Sequence, residues 1–204
     1  MKCPYPPHGS HTPSLMIACA AAKADSIIEF GAGNWSTRVL QTFSKLGAFC
    51  ASVEDNPAWV PVETEMHRVY SYDRFWLEMD QVRKYANAYQ KTLNSVVALV
   101  DNESHRRADA IKRLVPIATV IVVHDTEAEH EHIYGSRAAI RRNWKAWRHI
   151  QCPWTGIVTT VAWNEGSKID EETLIRSVMK MTGEEAMKFQ AGICDVLDMA
   201  GGVS

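Results

Sequence analysis

The chain has no run of about 20 consecutive apolar residues, so no segment of it is built to cross a bilayer as a helix. It has no CxxC pair. Its five cysteines (Cys3, Cys19, Cys50, Cys152 and Cys194) are odd in number and widely spaced, which fits reduced thiols in an intracellular protein and not a disulfide scaffold. Cys19 and Cys50 sit in apolar runs and read as small core residues. Neither sign of charge is in excess. A net charge of -2 gives no bulk attraction to nucleic acid or to an anionic membrane, so neither is expected as a partner. HExxH and the Walker lysine are both missing, and no repeat, low-complexity tract or linker divides the chain. The apolar run over residues 15–22 comes late for a secretory signal, and its leader carries one lysine and several prolines. A helix in a cytoplasmic protein is the expectation there.

What is present is an ordinary globular composition, 46% hydrophobic and 23% charged over 204 residues, enough to bury one core as a single domain. Residues 1–12, rich in Pro, His and Gly, form an extended arm. Thr12 or Ser14 can cap a helix over 12–23, with Pro13 in its first turn. The apolar run 26–30 reads as a buried strand entering the tight loop 31–33, and 35–46 has helical spacing closed by Gly47. The alternation continues with a strand over 48–53, a short helix or irregular crossover over 59–66 and a third strand over 67–72. A mostly helical stretch over 75–93 follows, then a strand over 96–100, a helix over 106–115 and a strand over 119–123. Residues 136–148 read as a basic helix, 156–163 as a late strand placed antiparallel at an edge, and 171–180 and 184–199 as terminal helices. Continuous apolar strands, each followed by a helix, predict an α/β fold. Its Rossmann-like, doubly wound, mostly parallel sheet has about seven strands, with helices on both faces.

In such a sheet ligands bind beyond the carboxyl ends of the strands, near the point where strand order reverses. Polar residues collect at those ends: Glu29, Gly31 and Gly33 after the first strand, Glu54 after the second, Asp101 and then His124 and Asp125 after the later two. Glycines at 31 and 33 permit unusual backbone angles and close approach of a ligand. A dinucleotide loop wants a third glycine where Ser36 stands, which counts against NAD or FAD and their pyrophosphate. Glu54 follows Gly33 by 21 residues, at the next strand's end, where a carboxylate accepts hydrogen bonds from both ribose hydroxyls. Asp55 could replace it in that role. The combination points to a nucleoside cofactor without a pyrophosphate, and S-adenosylmethionine (SAM) has that chemistry.

The segments Ile28-Glu29-Phe30-Gly31-Ala32-Gly33 and Ser52-Val53-Glu54-Asp55-Asn56-Pro57, with Val97-Ala98-Leu99-Val100-Asp101 and Val122-Val123-His124-Asp125, resemble the class I SAM-dependent methyltransferases over roughly residues 12–165. The resemblance implies that Glu29, Gly31 and Gly33 hold the methionine end of the cofactor and that Glu54 holds the ribose. It also places Tyr72 and Asp73 beside the adenine and Asp101 among the cofactor-binding residues. Small O-methyltransferases of that kind carry metal-binding carboxylates at the two strand ends where Asp101 and Asp125 lie. By resemblance those two residues are candidate Mg²⁺ ligands, and His124, Asp125 and Asp101 are the candidate catalytic groups.

The expected activity is transfer of a methyl group from SAM to an oxygen of a small-molecule acceptor. An NAD-binding oxidoreductase and a non-catalytic methyltransferase-like binding module are the alternatives. Methyl transfer from a sulfonium chiefly requires alignment, with a base or a metal to deprotonate the acceptor, and His124 is the candidate metal-free base. The tract Glu127-Ala128-Glu129-His130-Glu131-His132 has metal-binding composition but no zinc spacing, and reads as a solvated loop or helix start. His132 and Tyr134 are candidate acceptor contacts, and His11 and Thr12 possible pocket residues. Arg137, Arg141, Lys145 and Arg148 recur at near-helical spacing as one basic stripe accompanied by Trp144 and Trp147, which reads as a solvated face with the tryptophans packed on the sheet.

Overall fold

The computed structural model describes residues 11–88, 94–151, 157–164, 167, 169–170 and 172. The arm up to residue 10 lies outside the described residues. So do the two terminal helices, except for residue 172.

Three apolar strands form the centre. β1 (Ser26–Phe30) pairs in parallel with β2 (Phe49–Val53) on one side and with β4 (Val96–Val100) on the other. β3 (His67–Tyr70) extends the sheet beyond β2, and β5 (Val120–Val123) extends it beyond β4. The full order is β3-β2-β1-β4-β5-β7-β6, with β6 (Ala146–Gln151) and β7 (Val158–Trp163) completing seven strands. Strand order reverses between β1 and β4, so the loops leaving those two strands flank the switch point where a ligand crevice opens.

Both faces of the central strands are covered, which is why those strands are apolar throughout and not alternating. On one face Ile28, Phe30, Ala98, Val100, Ile121 and Val123 pack against α3 (Tyr72–Leu77), α4 (Met79–Ala88), α5 (Ser104–Leu114) and, after the one-turn α6 (Glu131–Tyr134), α7 (Ser136–Asn143). On the other, Ile27, Cys50, Val97, Leu99, Val120 and Val122 pack against α1 (Thr12–Ala22) and α2 (Ser36–Lys45). α1 is apolar almost all round and nine of its residues are buried, as expected of a helix sunk in the core. Cys19 and Cys50 are free thiols in this second layer. No helix among the described residues is long and apolar enough to cross a membrane.

Several boundaries depart from expectation. The N-cap of α1 is His11, which makes no side-chain cap bond, and Thr12 is the first helical residue. Residues 59–66 contain no helix: Pro61 removes a backbone donor from the middle of the segment and biases Val60 away from helical angles. The single helix expected over 75–93 is two helices, α3 beginning at Tyr72 and α4 at Met79. The largest correction concerns the basic helix over 136–148. α7 stops at Asn143, Trp144 turns extended and buries its ring, and β6 follows, paired antiparallel with β7 from Ala146–Trp163 to Gln151–Val158. Pairing against a strand outweighs the helical spacing of four cations. Arg148 therefore lies on a strand, and the four cations form no single stripe. β7 is also not an edge: it lies between β5 and β6, antiparallel to both.

Candidate functional site

The chain leaves β1 at Gly31 with φ +90, and a Cβ there would lie 2.5 Å from the Asp101 carbonyl oxygen. Only glycine lets this loop cross so tightly over the end of β4. Gly33 differs. Its φ lies outside the left-handed region, and a Cβ would meet nothing closer than 3.9 Å. Each amide of the loop is held: Gly31 donates to the Val53 carbonyl at 2.9 Å, Ala32 to Glu54 Oε2 at 2.9 Å and Gly33 to Thr37 Oγ1 at 3.2 Å.

Glu29 acts beneath this loop and does not line a cavity. It is fully buried, and its Oε1 accepts the Thr37 hydroxyl at 2.8 Å and the Ser52 hydroxyl. The chain from Gly33 through Thr37 to Glu29 fixes the loop from below, and nothing in the sequence pattern marks Thr37 for this role. Burial lifts the Glu29 carboxyl to about 7, against the hydroxyls of Ser52, Ser36 and Thr37, which favour its charged form. The folded value lies above the ordinary 4.5. Stability is therefore complete below that pH and falls as pH rises towards about 7, by up to about 3 kcal/mol. Glu29→Gln should flatten this decline when urea midpoints are followed between about pH 4.5 and about pH 7. An unchanged slope would remove Glu29 as its source.

Glu54 stands on the wall of a cavity of about 250 Å³ that also borders Gly31, Trp59, Tyr72, Asp101 and Arg106. Its Oε1 accepts the Asn56 amide at 2.7 Å. Each carboxylate oxygen thus has one backbone donor and keeps a further lone pair. Asp55 is committed elsewhere: Oδ1 accepts the Tyr72 amide at 3.0 Å, and Oδ2 pairs with Arg106. A second cavity of about 290 Å³ runs along residues 31–36 to His11. The two cavities share Gly31, Ala32, Trp59 and Asp101, so they form one trough across the switch point, of the roughly 300–1,000 Å³ usual for small-ligand sites. Trp59, half exposed on the loop after β2, borders both halves and was not singled out in the sequence. Asp73 is exposed on the first turn of α3 and lines neither half, whereas Tyr72 lines the first.

At the far end of the trough the two later strand ends meet. His124 Nδ1 lies 3.2 Å from Asp101 Oδ2 and 3.5 Å from Asp125 Oδ1. His11 Nδ1 lies 3.7 Å from the same Asp101 oxygen, and its ring meets the His124 ring edge-on at 4.7 Å. His11 and Asp101 border the trough and His124 does not, although both imidazoles are buried. Arg107, 5% exposed, completes the cluster. Its Nη2 lies 3.0 Å from Asp101 Oδ1 and 3.5 Å from Asp125 Oδ2, while Nε and Nη1 donate to the Asn102 and His124 carbonyls, each at 2.7 Å.

The charges follow from these contacts. Burial alone would raise Asp101, but His124, His11 and Arg107 together outweigh it and hold the carboxyl at about 2. Burial alone would lower His124, but the charge and hydrogen bond of Asp101, with Asp125, raise it above the ordinary value. Burial, with the neighbouring His124 and Arg107, lowers His11 to about 3, so its ring is neutral at physiological pH, and neither ring nitrogen has a hydrogen-bond partner among the described residues. Asp125 takes a left-handed backbone at φ 52, a conformation that an Asp tolerates and that clusters at functional sites.

These residues do not fit the Mg²⁺ expected between Asp101 and Asp125. Mg²⁺ needs oxygen lone pairs at about 2.1 Å in octahedral array, and a guanidinium already occupies the space between the two carboxylates. His11, Asp101 and His124 each offer a ligand atom within 4.8 Å of the others, but Arg107 sets a fixed positive charge against the Asp101 carboxylate there.

The acidic tract is structural. Glu127 accepts the Val158 amide at 2.6 Å, and Glu131 accepts the Arg137 and Ala138 amides at the start of α7, both at 2.8 Å. His132 is exposed, and Tyr134 lies under the Arg107 guanidinium at 4.3 Å; neither borders the trough.

No protein-family model and no curated protein matches the chain. Its backbone is nevertheless similar to solved methyltransferases. The chain matches human methyltransferase-like protein 13 in complex with SAH at a TM-score of 0.59 and 10% identity, over 90% of this chain and 93% of that one. It matches the O-methyltransferase TomG of Streptomyces achromogenes, in complex with SAM and involved in tomaymycin synthesis, at 0.52 and 12% over 80% and 82%. A Bacillus cereus O-methyltransferase in complex with SAH matches at 0.51 and 14% over 80% and 84%. With its seven-stranded sheet, single antiparallel strand and switch-point trough, the chain has the class I methyltransferase fold.

Proposed function

We propose that the protein is a SAM-dependent methyltransferase acting on an oxygen of a small-molecule acceptor. The observation that carries this is Glu54, which stands on the trough wall with a free lone pair on each oxygen, where a ribose diol can donate to both. The loop over residues 31–36 supplies the wall for the amino-acid tail. A third loop glycine and a Walker lysine, the usual company of a pyrophosphate or triphosphate, are missing from it.

The sulfonium supplies an activated methyl group when the cofactor is bound, so this chain's residues have to align an acceptor and receive a proton. His11 lines the trough as a buried, neutral imidazole whose ring nitrogens have no hydrogen-bond partner among the described residues, which suits it to accept a hydrogen bond from an acceptor hydroxyl that reaches it. Asp101 lies beside it, and His124, made more basic by Asp101 and Asp125, stands behind the pair to hold positive charge. His124 thus supports the reaction from the second row, and His11 takes the position that borders the trough.

Isothermal titration tests the cofactor assignment. SAM and S-adenosylhomocysteine (SAH) should bind and NAD should not, and Glu54→Gln should weaken SAH by about 10–100-fold, the loss of a charge-assisted hydrogen bond or two. NAD binding tighter than SAH, or unchanged SAH affinity in the variant, would overturn it.

A further inference from the structure

We propose that the Arg107 guanidinium is the built-in cation of this site. It fills the seat between Asp101 and Asp125, so the acceptor end of the trough works without a divalent metal. The inference rests on the methyltransferase assignment for its meaning, but its test does not.

The two strand-end carboxylates lie where a dication could bridge them, and every one of their four oxygens already faces a donor. Asp101 Oδ1 and Asp125 Oδ2 face Arg107 Nη2. Asp101 Oδ2 faces His124 and His11, and Asp125 Oδ1 faces His124. The guanidinium is not a loose surface group that a metal could push aside. Its other nitrogens are committed to the Asn102 and His124 carbonyls, its plane lies 4.3 Å over the Tyr134 ring, and it is almost wholly buried. Displacing it would leave a buried cation unpaired, which is strongly unfavourable.

Arg107 also ties together the elements that form the floor. It extends from α5 to both strand-end loops, so it fixes the Asp101–Asp125 spacing that a metal would otherwise set. Guanidinium suits this task better than ammonium, because its planar fork serves several acceptors at once. It acts on the acceptor through Asp101 and His124 and is therefore a positioning residue.

The test is titration of the full chain, stripped with chelator, with Mn²⁺ (read by its spin-resonance signal), Mg²⁺ and Zn²⁺. Wild type should bind none of them at this site, and chelator should leave SAH affinity unchanged. Arg107→Met vacates the seat and should bind Mn²⁺ at least about tenfold more tightly than wild type, the gain being lost again in Arg107→Met/Asp125→Asn. Arg107→Lys keeps the charge and should stay blind to Mn²⁺. Should Arg107→Met not fold, wild type and Arg107→Lys still decide. Tight Mn²⁺ or Mg²⁺ binding to wild type that Asp125→Asn abolishes, Zn²⁺ binding that His11→Ala abolishes, or a folded Arg107→Met that gains nothing would each overturn the proposal. Failure of the methyltransferase assignment would appear separately, as wild type that binds no SAH.

Discussion

Gly31→Ala should unfold or severely destabilise the protein, whereas Gly33→Ala should fold normally and lose cofactor affinity. At residue 31 two penalties coincide. An alanine at φ +90 is strained by about 1–2 kcal/mol, and its methyl group would press on backbone atoms that cannot swing away, the Asp101 oxygen at 2.5 Å and the Asn102 nitrogen at 2.8 Å, adding about 1–3 kcal/mol. The loss should thus reach about 3 kcal/mol or more, a large share of a typical folding free energy. At residue 33 the backbone is ordinary and the space open, so stability should change by less than about 1 kcal/mol. Its methyl group would project into the trough, and the cost should fall on SAH binding. Urea denaturation and titration calorimetry on both variants separate the effects. Equal stability losses would show that the two glycines share one structural role.

The sequence displays the two glycines as a pair because spacing carries no information about φ or about what lies across the sheet. The same limit explains much of what was and was not legible. β1, β2, β4 and β5 are short apolar runs with turn residues after them, so local composition revealed them, and with them the strand ends carrying Glu54, Asp101 and Asp125. β6 was hidden because Arg148 continues the helical spacing of Arg137, Arg141 and Lys145, and only pairing with β7, itself held by β5, makes residues 146–151 a strand. Glu29 was recognisable as a buried carboxylate in need of partners. The partners Thr37 and Ser52 come from α2 and β2, and the loop hierarchy they create is tertiary. Arg107 was invisible for the same reason. In sequence it is one of two adjacent arginines on an amphipathic helix. Arg106 pairs with Asp55 on the trough wall and Arg107 points into the floor, a difference of one helical step.

Asp101→Ala should be the most damaging single change at the floor of the trough, because Asp101 faces three neighbours at once, the Arg107 cation and the His124 and His11 rings. Its removal leaves Arg107 buried with Asp125 alone, at 3.5 Å, and takes from His124 its nearest carboxylate. Removing one partner of a buried pair typically destabilises by about 3–5 kcal/mol. Asp125→Asn should do less: its contacts to Arg107 and His124 are both 3.5 Å. The pH dependence provides a second readout. The folded Asp101 carboxyl is held at about 2, below its ordinary 3.8, so its contribution is present above the higher value and is lost as pH falls through the lower. That contribution is about 2 kcal/mol, and Asp101→Asn should erase it from the acid limb of a stability profile while sparing the limb near pH 7. If Asp101→Asn and wild type lost stability in parallel between about pH 4 and about pH 2, the carboxylate would not be the charge that holds Arg107 and the two imidazoles together. The trough floor would then owe its shape to packing, and Arg107→Met should leave it intact.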